Sequence, residues 1–212
     1  RAFDSEADLT LLVTGLAEAG GSIFAAGYRG DVLFVETLRG KDKLSAEGLP
    51  VVRPFYFGNK FVTPQYLTGD GNFLYCLGER ELFVLLPDGG VLASGQEAYP
   101  AFPCAVAAVS LARVYVLSCD GTLAAYDLSA SQLGRCLWQT RVPGGGMSLL
   151  AFEDRVWVFN DRLGPCSMQD NIRIREYGQG GRLTDHFALE LFNLRGAGLA
   201  RLPDGRLAGV HN

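Results

Sequence analysis

The stretch from Arg113 to Thr140 constrains the fold more than any other part of the chain. It reads RVYVLSCDGTLAAYDLSASQLGRCLWQT: an apolar run, a tight turn at Asp120-Gly121, a second run, and a third segment that contains Trp138. Apolar runs joined by an Asp-Gly turn are typical of antiparallel strands in a hairpin. The stretch therefore predicts three consecutive strands of one antiparallel sheet.

The same order of strands and turns recurs along the 212 residues. The predicted second strands recur in steps of about forty to fifty residues, the length of one four-stranded blade of a β-propeller. They begin near Ile23, Phe73, Val114, Val156 and Leu207. The two ends of the chain also align without a gap, because Gly15–Gly27 reads GLAEAGGSIFAAG and Gly198–Val210 reads GLARLPDGRLAGV.

This repeat predicts an all-β chain that forms a single β-propeller domain of four-stranded antiparallel blades. The expectation is about five blades, or part of a larger propeller, with repeats at roughly 14–58, 64–98, 104–142, 146–192 and an incomplete 196–212. Pro50–Phe57 is predicted as the outer strand of the first repeat, since prolines are tolerated at a sheet edge. Either Phe3–Val13 completes the last blade, or further blades come from outside this chain.

Composition and charge narrow the classes of partner. The net charge is −4 and lysines and arginines do not cluster, so the chain lacks the basic surface that a phosphate backbone requires. No apolar run approaches the roughly 20 residues of a membrane helix. We therefore expect a soluble domain that binds no nucleic acid and does not insert into a membrane.

The five cysteines are widely spaced and include no C-x-x-C pair. They are Cys76, Cys104, Cys119, Cys136 and Cys166. This pattern fits neither a disulfide framework nor a zinc site, and it predicts reduced, mostly buried thiols in an intracellular, cytoplasmic protein. A signal peptide removed from a longer precursor is the alternative, since the first residue is not methionine.

The third repeat resembles that of the quinoprotein-type (PQQ-like) propellers. The shared features are a strand, a D-G-T-L turn, A-x-D, a glycine, and a tryptophan near the end of the outer strand. In that family the tryptophan packs between blades and its indole N–H binds a neighbouring backbone. The resemblance implies structural roles for Asp120, Gly121, Asp127, Gly134 and Trp138. WD-repeat propellers are similar in outline, but the Trp-Asp ending is missing.

The resemblance implies the scaffold without its cofactor. Quinoprotein dehydrogenases bind quinone and calcium through a dedicated set of side chains and often a vicinal disulfide, and no two cysteines are adjacent here. The histidines, His186 and His211, do not form a catalytic arrangement or a metal site. We predict no catalytic, cofactor-binding or metal-binding residue.

Four acidic residues fall on the turns that follow predicted second strands, near one rim. They are Asp31, Glu79, Asp120 and Asp161. Carboxylate pairs could serve a sugar-cleaving site, but aspartates in such turns generally bind their own backbone. Turn formation is the favoured interpretation.

One connection breaks the pattern of short turns. Asn160–Asp170 reads NDRLGPCSMQD, and a long loop on a rim is a reasonable contact element. Arg162, Cys166 and Met168 are its candidate partner contacts, and a tolerated insertion is the alternative. The sequence thus predicts a non-enzymatic protein–protein interaction scaffold within a larger protein or complex. The competing hypothesis is a propeller enzyme or lectin-like domain that binds a sugar or other small molecule in a central funnel.

Overall fold

The computed structural model describes residues 12–29, 32–37, 43–44, 55–62, 64–65, 67–88, 90–129, 134–160, 171–190, 199–201 and 207–209. In these residues the regular structure is β-strand, arranged as four four-stranded antiparallel sheets and two two-stranded ones. The predicted all-β fold with four-stranded antiparallel sheets is confirmed. Across the same residues, no helix has the length and apolar character needed to cross a bilayer.

The strands follow one another in chain order. The first sheet contains β1 (Leu12–Ala19), β2 (Ser22–Arg29), β3 (Val32–Thr37) and β4 (Lys43–Leu44). A separate hairpin contains β5 (Phe55–Phe57) and β6 (Lys60–Val62). The second sheet contains β7 (Leu67–Gly69), β8 (Leu74–Leu77), β9 (Leu82–Leu85) and β10 (Val91–Gly95). The third contains β11 (Pro103–Ser110), β12 (Arg113–Ser118), β13 (Thr122–Asp127) and β14 (Arg135–Arg141). The fourth contains β15 (Ser148–Ala151), β16 (Arg155–Phe159), β17 (Asn171–Gly178) and β18 (Leu183–Glu190). Finally, β19 (Leu199–Arg201) pairs with β20 (Leu207–Gly209).

Neighbouring sheets meet through their first strands. β1 contacts β7, β7 contacts β11, and β11 contacts β15. Parallel bridges join Ala19 to Gly71 and Gln65 to Ala105 at two of these junctions. Each sheet is a meander that runs outward from its first strand, which is the arrangement of propeller blades.

Burial explains why the strands have the sequences they do. The middle strands β8 and β9 are buried at every position, as Leu-Tyr-Cys-Leu and Leu-Phe-Val-Leu, because neighbouring sheets cover both of their faces. The outer strand β14 alternates between exposed and half-buried positions. Apolar runs therefore mark the inside of a blade, and alternation marks its edge.

The direction of the strands defines two rims. The upper rim carries the turns between second and third strands, such as 78–81 and 119–121, and the connections that lead into each first strand. The lower rim carries the turns between first and second strands and between third and fourth strands. Phe102, which directly precedes β11, lies on the upper rim.

The predicted outer strand of the first repeat is wrong. β4 pairs with β3 and is the fourth strand of that sheet, whereas Phe55–Phe57 pairs with β6. The chain folds back on itself at Gly58, whose φ of +59° is readily adopted by glycine. The described part of the predicted outer strand, Phe55–Phe57, is thus half of a hairpin outside the four blades, and residues 50–54 lie outside the described residues.

Trp138 connects the third sheet to the fourth. Its indole N–H donates a hydrogen bond to the carbonyl of Gln179, in the turn between β17 and β18. Gly181, in the same turn, has a φ of +73°, and a Cβ there would lie 2.5 Å from the Trp138 ring. Only glycine satisfies both this backbone conformation and this close approach.

Gly181→Ala should therefore destabilise the domain by about 2 kcal/mol or more, through the left-handed backbone and the displaced ring. Urea unfolding followed by circular dichroism measures the change. Gly180→Ala is the matched control, because a Cβ at Gly180 has no neighbour within 4 Å. Equal stability of the two variants would contradict the close contact.

Candidate functional site

The predicted partner-contact loop begins at a well-held residue. The Asn160 N–H donates to the Arg173 carbonyl at 3.1 Å, and the Asn160 Oδ1 accepts the Arg173 N–H at 2.7 Å. The predicted contacts Arg162, Cys166 and Met168 lie outside the described residues, so their role stays a prediction.

Asp120 and Gly121 form the turn between β12 and β13 on the upper rim. The Asp120 carboxylate accepts the Thr122 N–H at 2.9 Å, accepts the Ser118 hydroxyl, and pairs with Arg141 at 3.2 Å. Gly121 has a φ of +90°, and its carbonyl accepts the Val142 N–H at 2.7 Å. The turn is thereby tied to the end of the outer strand.

Asp127 and Gly134 lie at the lower rim, on either side of the connection between β13 and β14. The Asp127 carboxylate accepts the backbone N–H of Ser129 at 2.9 Å. Gly134 has a φ of +66°, and a Cβ there would lie 2.5 Å from Leu128 and 2.9 Å from the Cα of Gly95. These contacts shape the turn and the sheet edge.

An aromatic cluster projects from the upper rim. Phe102 lies between two rings of the β5–β6 hairpin, with centroids 5.8 Å from Phe55 and 5.7 Å from Phe57. Tyr56 of the same hairpin is 73% exposed, Phe102 is 54% exposed and Phe57 is 36% exposed. We call Phe55, Tyr56, Phe57 and Phe102 the rim aromatic cluster.

The hairpin that carries this cluster is anchored to the core. Val62 of β6 is buried in the cluster of apolar side chains between the third and fourth sheets, and Phe55 packs against that cluster as well. Just beyond the hairpin, the Gln65 N–H donates to the Cys104 carbonyl at 2.8 Å. The exposed rings therefore sit on a fixed base.

Phe102 has an unusual backbone conformation. Its φ is +54°, in the left-handed region that side chains other than glycine, asparagine and aspartate rarely adopt. Its carbonyl accepts the Cys119 N–H at 3.0 Å, which helps to hold this conformation. Strain of this kind costs about 1–3 kcal/mol and is concentrated at functional sites.

This cluster was not predicted, because Phe55–Phe57 has the sequence pattern of the outer strand of a blade. The missed signal is three consecutive aromatic residues followed at once by Gly58-Asn59 and a second apolar pair. Such a pattern is typical of a short hairpin. The left-handed Phe102 has no comparable signal, since its neighbours Ala101 and Pro103 do not specify that conformation.

The candidate acidic residues and histidine from the sequence do not converge in the described part of the chain. Glu79 is exposed, Asp120 is engaged in its own turn, and His186 is exposed on β18. Within the described ranges, no group of three or more His, Cys, Asp or Glu residues is placed to hold a metal ion. Asp31, Asp161 and His211 lie outside those ranges.

No protein-family model and no curated protein matches this chain. Solved structures do match. The chain is similar to the WD40 domain of Pan2 from Neurospora crassa, with a TM-score of 0.54, 7% identity and 86% of this chain covered. A chain of the mitotic checkpoint complex matches with a TM-score of 0.57, 14% identity and 94% covered. A protein of unknown function from Bacteroides caccae matches with a TM-score of 0.57, 13% identity and 97% covered.

The described chain is shorter than these structures. It spans 52% of the Pan2 domain, 60% of the checkpoint-complex chain and 73% of the Bacteroides caccae protein. At such low identities the likeness shows the fold alone. Together with the meandering four-stranded sheets, it confirms the predicted β-propeller class.

Phe102→Gly should be more stable than Phe102→Ala by about 1 kcal/mol, although glycine removes more apolar surface. Both variants lose the ring contacts, but only glycine relieves the left-handed backbone. Chemical unfolding of the two variants in parallel measures the difference. The reverse order of stability would show that position 102 is not held at positive φ.

Asp120 should make stability depend on pH. Burial raises the pKa of its carboxyl, but the hydrogen bonds from Ser118 and Thr122 and the charge of Arg141 outweigh burial and lower it overall. Because the folded pKa is lowered, the ionised carboxylate contributes stability above its ordinary pKa and loses it as pH falls through the lowered value.

The melting temperature of the wild-type chain should exceed that of Asp120→Asn most clearly above about pH 5, and the gap should shrink below about pH 4. Thermal unfolding across this range measures it. Arg141→Gln is the comparison variant, and its effect should be smaller because Arg141 is 70% exposed. A gap that stays constant with pH would contradict the proposed linkage.

Proposed function

We propose that this chain is a non-enzymatic propeller scaffold that binds a protein partner through the rim aromatic cluster. The observation that carries the proposal is Phe102, a strained and exposed aromatic residue whose ring meets that of Phe57 edge to face. Aromatic side chains are enriched among the residues that contribute most to protein–protein binding. Tyr56 and Phe102 each offer enough apolar surface to contribute roughly 2 kcal/mol when covered.

The cluster also has the rigidity that favours binding. Buried Val62, the packing of Phe55 and the hydrogen bond that follows the hairpin at Gln65 fix the hairpin, and the backbone hydrogen bond from Cys119 fixes Phe102. Because the aromatic side chains are already positioned, this chain loses less conformational entropy when a partner binds. The surface therefore suits protein recognition.

The first strands of the four blades offer little to a polar small molecule. β1, β7, β11 and β15 contain one charged residue between them, Glu18. Its carboxylate accepts the Gly21 N–H at 3.0 Å within the turn that follows β1. Sugar and cofactor sites need several converging polar groups, so this observation favours the scaffold over the funnel-binding alternative.

Four finer assignments belong to the same proposal. The Trp138 contact with Gln179 and Gly181 supports a PQQ-like repeat, and the partial coverage of longer propellers supports membership in a larger protein or complex. The four cysteines in the described ranges are free thiols, which supports an intracellular, cytoplasmic location. The loop that follows Asn160 is proposed as a second contact element.

Affinity capture from a lysate, quantified by mass spectrometry, tests the scaffold. The double variant Tyr56→Ala/Phe57→Ala should lose about tenfold or more of a specific set of proteins that the wild-type chain recovers, since truncated aromatic contacts at an interface cost about 1–2 kcal/mol each. Tyr56 is 73% exposed and Phe57 is 36% exposed, and both lie outside the buried core clusters, so folding should be little changed.

The matched control is Val91→Ala/Leu183→Ala. These residues are 53% and 44% exposed and lie on outer strands away from the cluster. The control should recover the same proteins as the wild-type chain. Loss of these proteins from the control, or their retention by the cluster variant, would refute the proposed surface.

A further inference from the structure

Two cysteines meet beside the rim aromatic cluster. Cys104 lies in a bulge of β11, between the pairs Pro103–Ser118 and Ala105–Leu117. Cys119 follows β12, and its N–H donates to the Phe102 carbonyl at 3.0 Å. The register of the strands therefore places the two cysteines diagonally opposite each other across the antiparallel strands β11 and β12.

The two side chains also share one face of the third sheet. Cys104 belongs to the buried cluster that contains Leu117 and Val142, and Cys119 packs against that same cluster. The Cys104 thiol donates a hydrogen bond to the Gly146 carbonyl at 3.8 Å, and the Cys119 thiol is its neighbour against the same cluster. Both are free thiols.

The two thiols differ in pKa and in exposure, and this difference indicates which one reacts first. The neighbouring Cys104 thiol lowers the pKa of the Cys119 thiol, whereas the same interaction together with burial raises the pKa of Cys104. Cys119 is half-buried, whereas Cys104 is 1% exposed. A reachable thiol with a lowered pKa is the more reactive nucleophile.

The other described cysteines lack this combination. Burial raises the pKa of Cys76 to about 12, and no part of Cys76 is exposed. Cys136 is half-buried, and burial raises its pKa too. Among the described thiols, Cys119 is thus distinguished by a lowered pKa and a thiol neighbour.

We propose that Cys104 and Cys119 are a redox-active pair, in which hydrogen peroxide oxidises Cys119 and Cys104 then closes a disulfide. The Cys119 thiolate sulfur attacks one peroxide oxygen, the O–O bond breaks, and the departing hydroxide takes a proton to become water. The product at Cys119 is a sulfenic acid.

The Cys104 sulfur then attacks the Cys119 sulfur. The S–S bond forms as the S–O bond breaks, and the hydroxyl leaves as water with the proton of Cys104. Two thiols and one hydrogen peroxide thus give one disulfide and two water molecules. The sulfurs are oxidised and the peroxide oxygens are reduced.

The disulfide would join the strand that begins after Phe102 to the residue that hydrogen-bonds Phe102. It would therefore hold Phe102 more firmly in its exposed conformation and preorganise the rim aromatic cluster for a partner. This regulatory consequence rests on the proposed function, whereas the disulfide chemistry does not.

Treatment of the folded chain with hydrogen peroxide, followed by alkylation and trypsin digestion, tests the chemistry. Trypsin cleaves after Arg113 and so separates the two cysteines onto different peptides. Mass spectrometry should find them linked. Cys136→Ser should form the same link as the wild-type chain, and Cys104→Ser should accumulate a dimedone-reactive sulfenic acid at Cys119.

Cys119→Ser should slow oxidation of Cys104 by about tenfold or more, because the buried thiol then has to react alone. Stepwise oxidation of Cys119 to sulfinic acid without a link, or a link that involves Cys136, would overturn the pair.

Affinity capture with the oxidised chain is a separate measurement, in which recovery of the partner set should rise about threefold or more through preorganisation. A linked pair with unchanged capture would refute only the regulatory consequence.

Discussion

The inner strands of the second and third blades are apolar on both faces, and this constraint governs the rest of the structure. Tyr75 and Tyr115 are fully buried in second strands, in two different sheets, with no solvent on either side of the sheet. A sheet of this kind cannot bury its surface alone, so each blade depends on its neighbours, as repeats do in other stacked proteins. Contacts between blades, such as Trp138 against Gly181, are therefore part of the core.

Much of the fold could be predicted because the strands and turns of a blade are specified by short, local stretches of sequence. The runs that became β8, β9 and β12 are continuous and apolar, and Asp120-Gly121 specifies its own turn. What could not be predicted depends on pairing at a distance. Phe55–Phe57 has the composition of an edge strand, and only its pairing with β6 rather than β3 reveals a hairpin. The rim aromatic cluster followed from that pairing and from a left-handed Phe102, neither of which alternation of apolar residues specifies.

The features available for function lie where the repeat is interrupted. Aspartates on the turns are occupied by backbone N–H groups, as Asp70 is by Asn72 and Asp88 is by Gly90, so they shape loops. The β5–β6 hairpin is additional to the blades, and its aromatic side chains remain accessible. The close placement of Cys104 and Cys119 beside it puts oxidation chemistry and the proposed recognition surface on the same rim.

The Trp138 contact has a consequence for how the chain folds during synthesis. The tryptophan and its acceptor Gln179 are 41 residues apart. At ribosomal rates of about 5–20 residues per second, the third blade leaves the ribosome roughly two to eight seconds before the turn that receives its indole. During that interval one face of the newest blade is exposed to solvent. It stays exposed until the next blade has been synthesised and packs against it. The order of the blades along the chain therefore determines when each apolar face is exposed and available for a chaperone to bind.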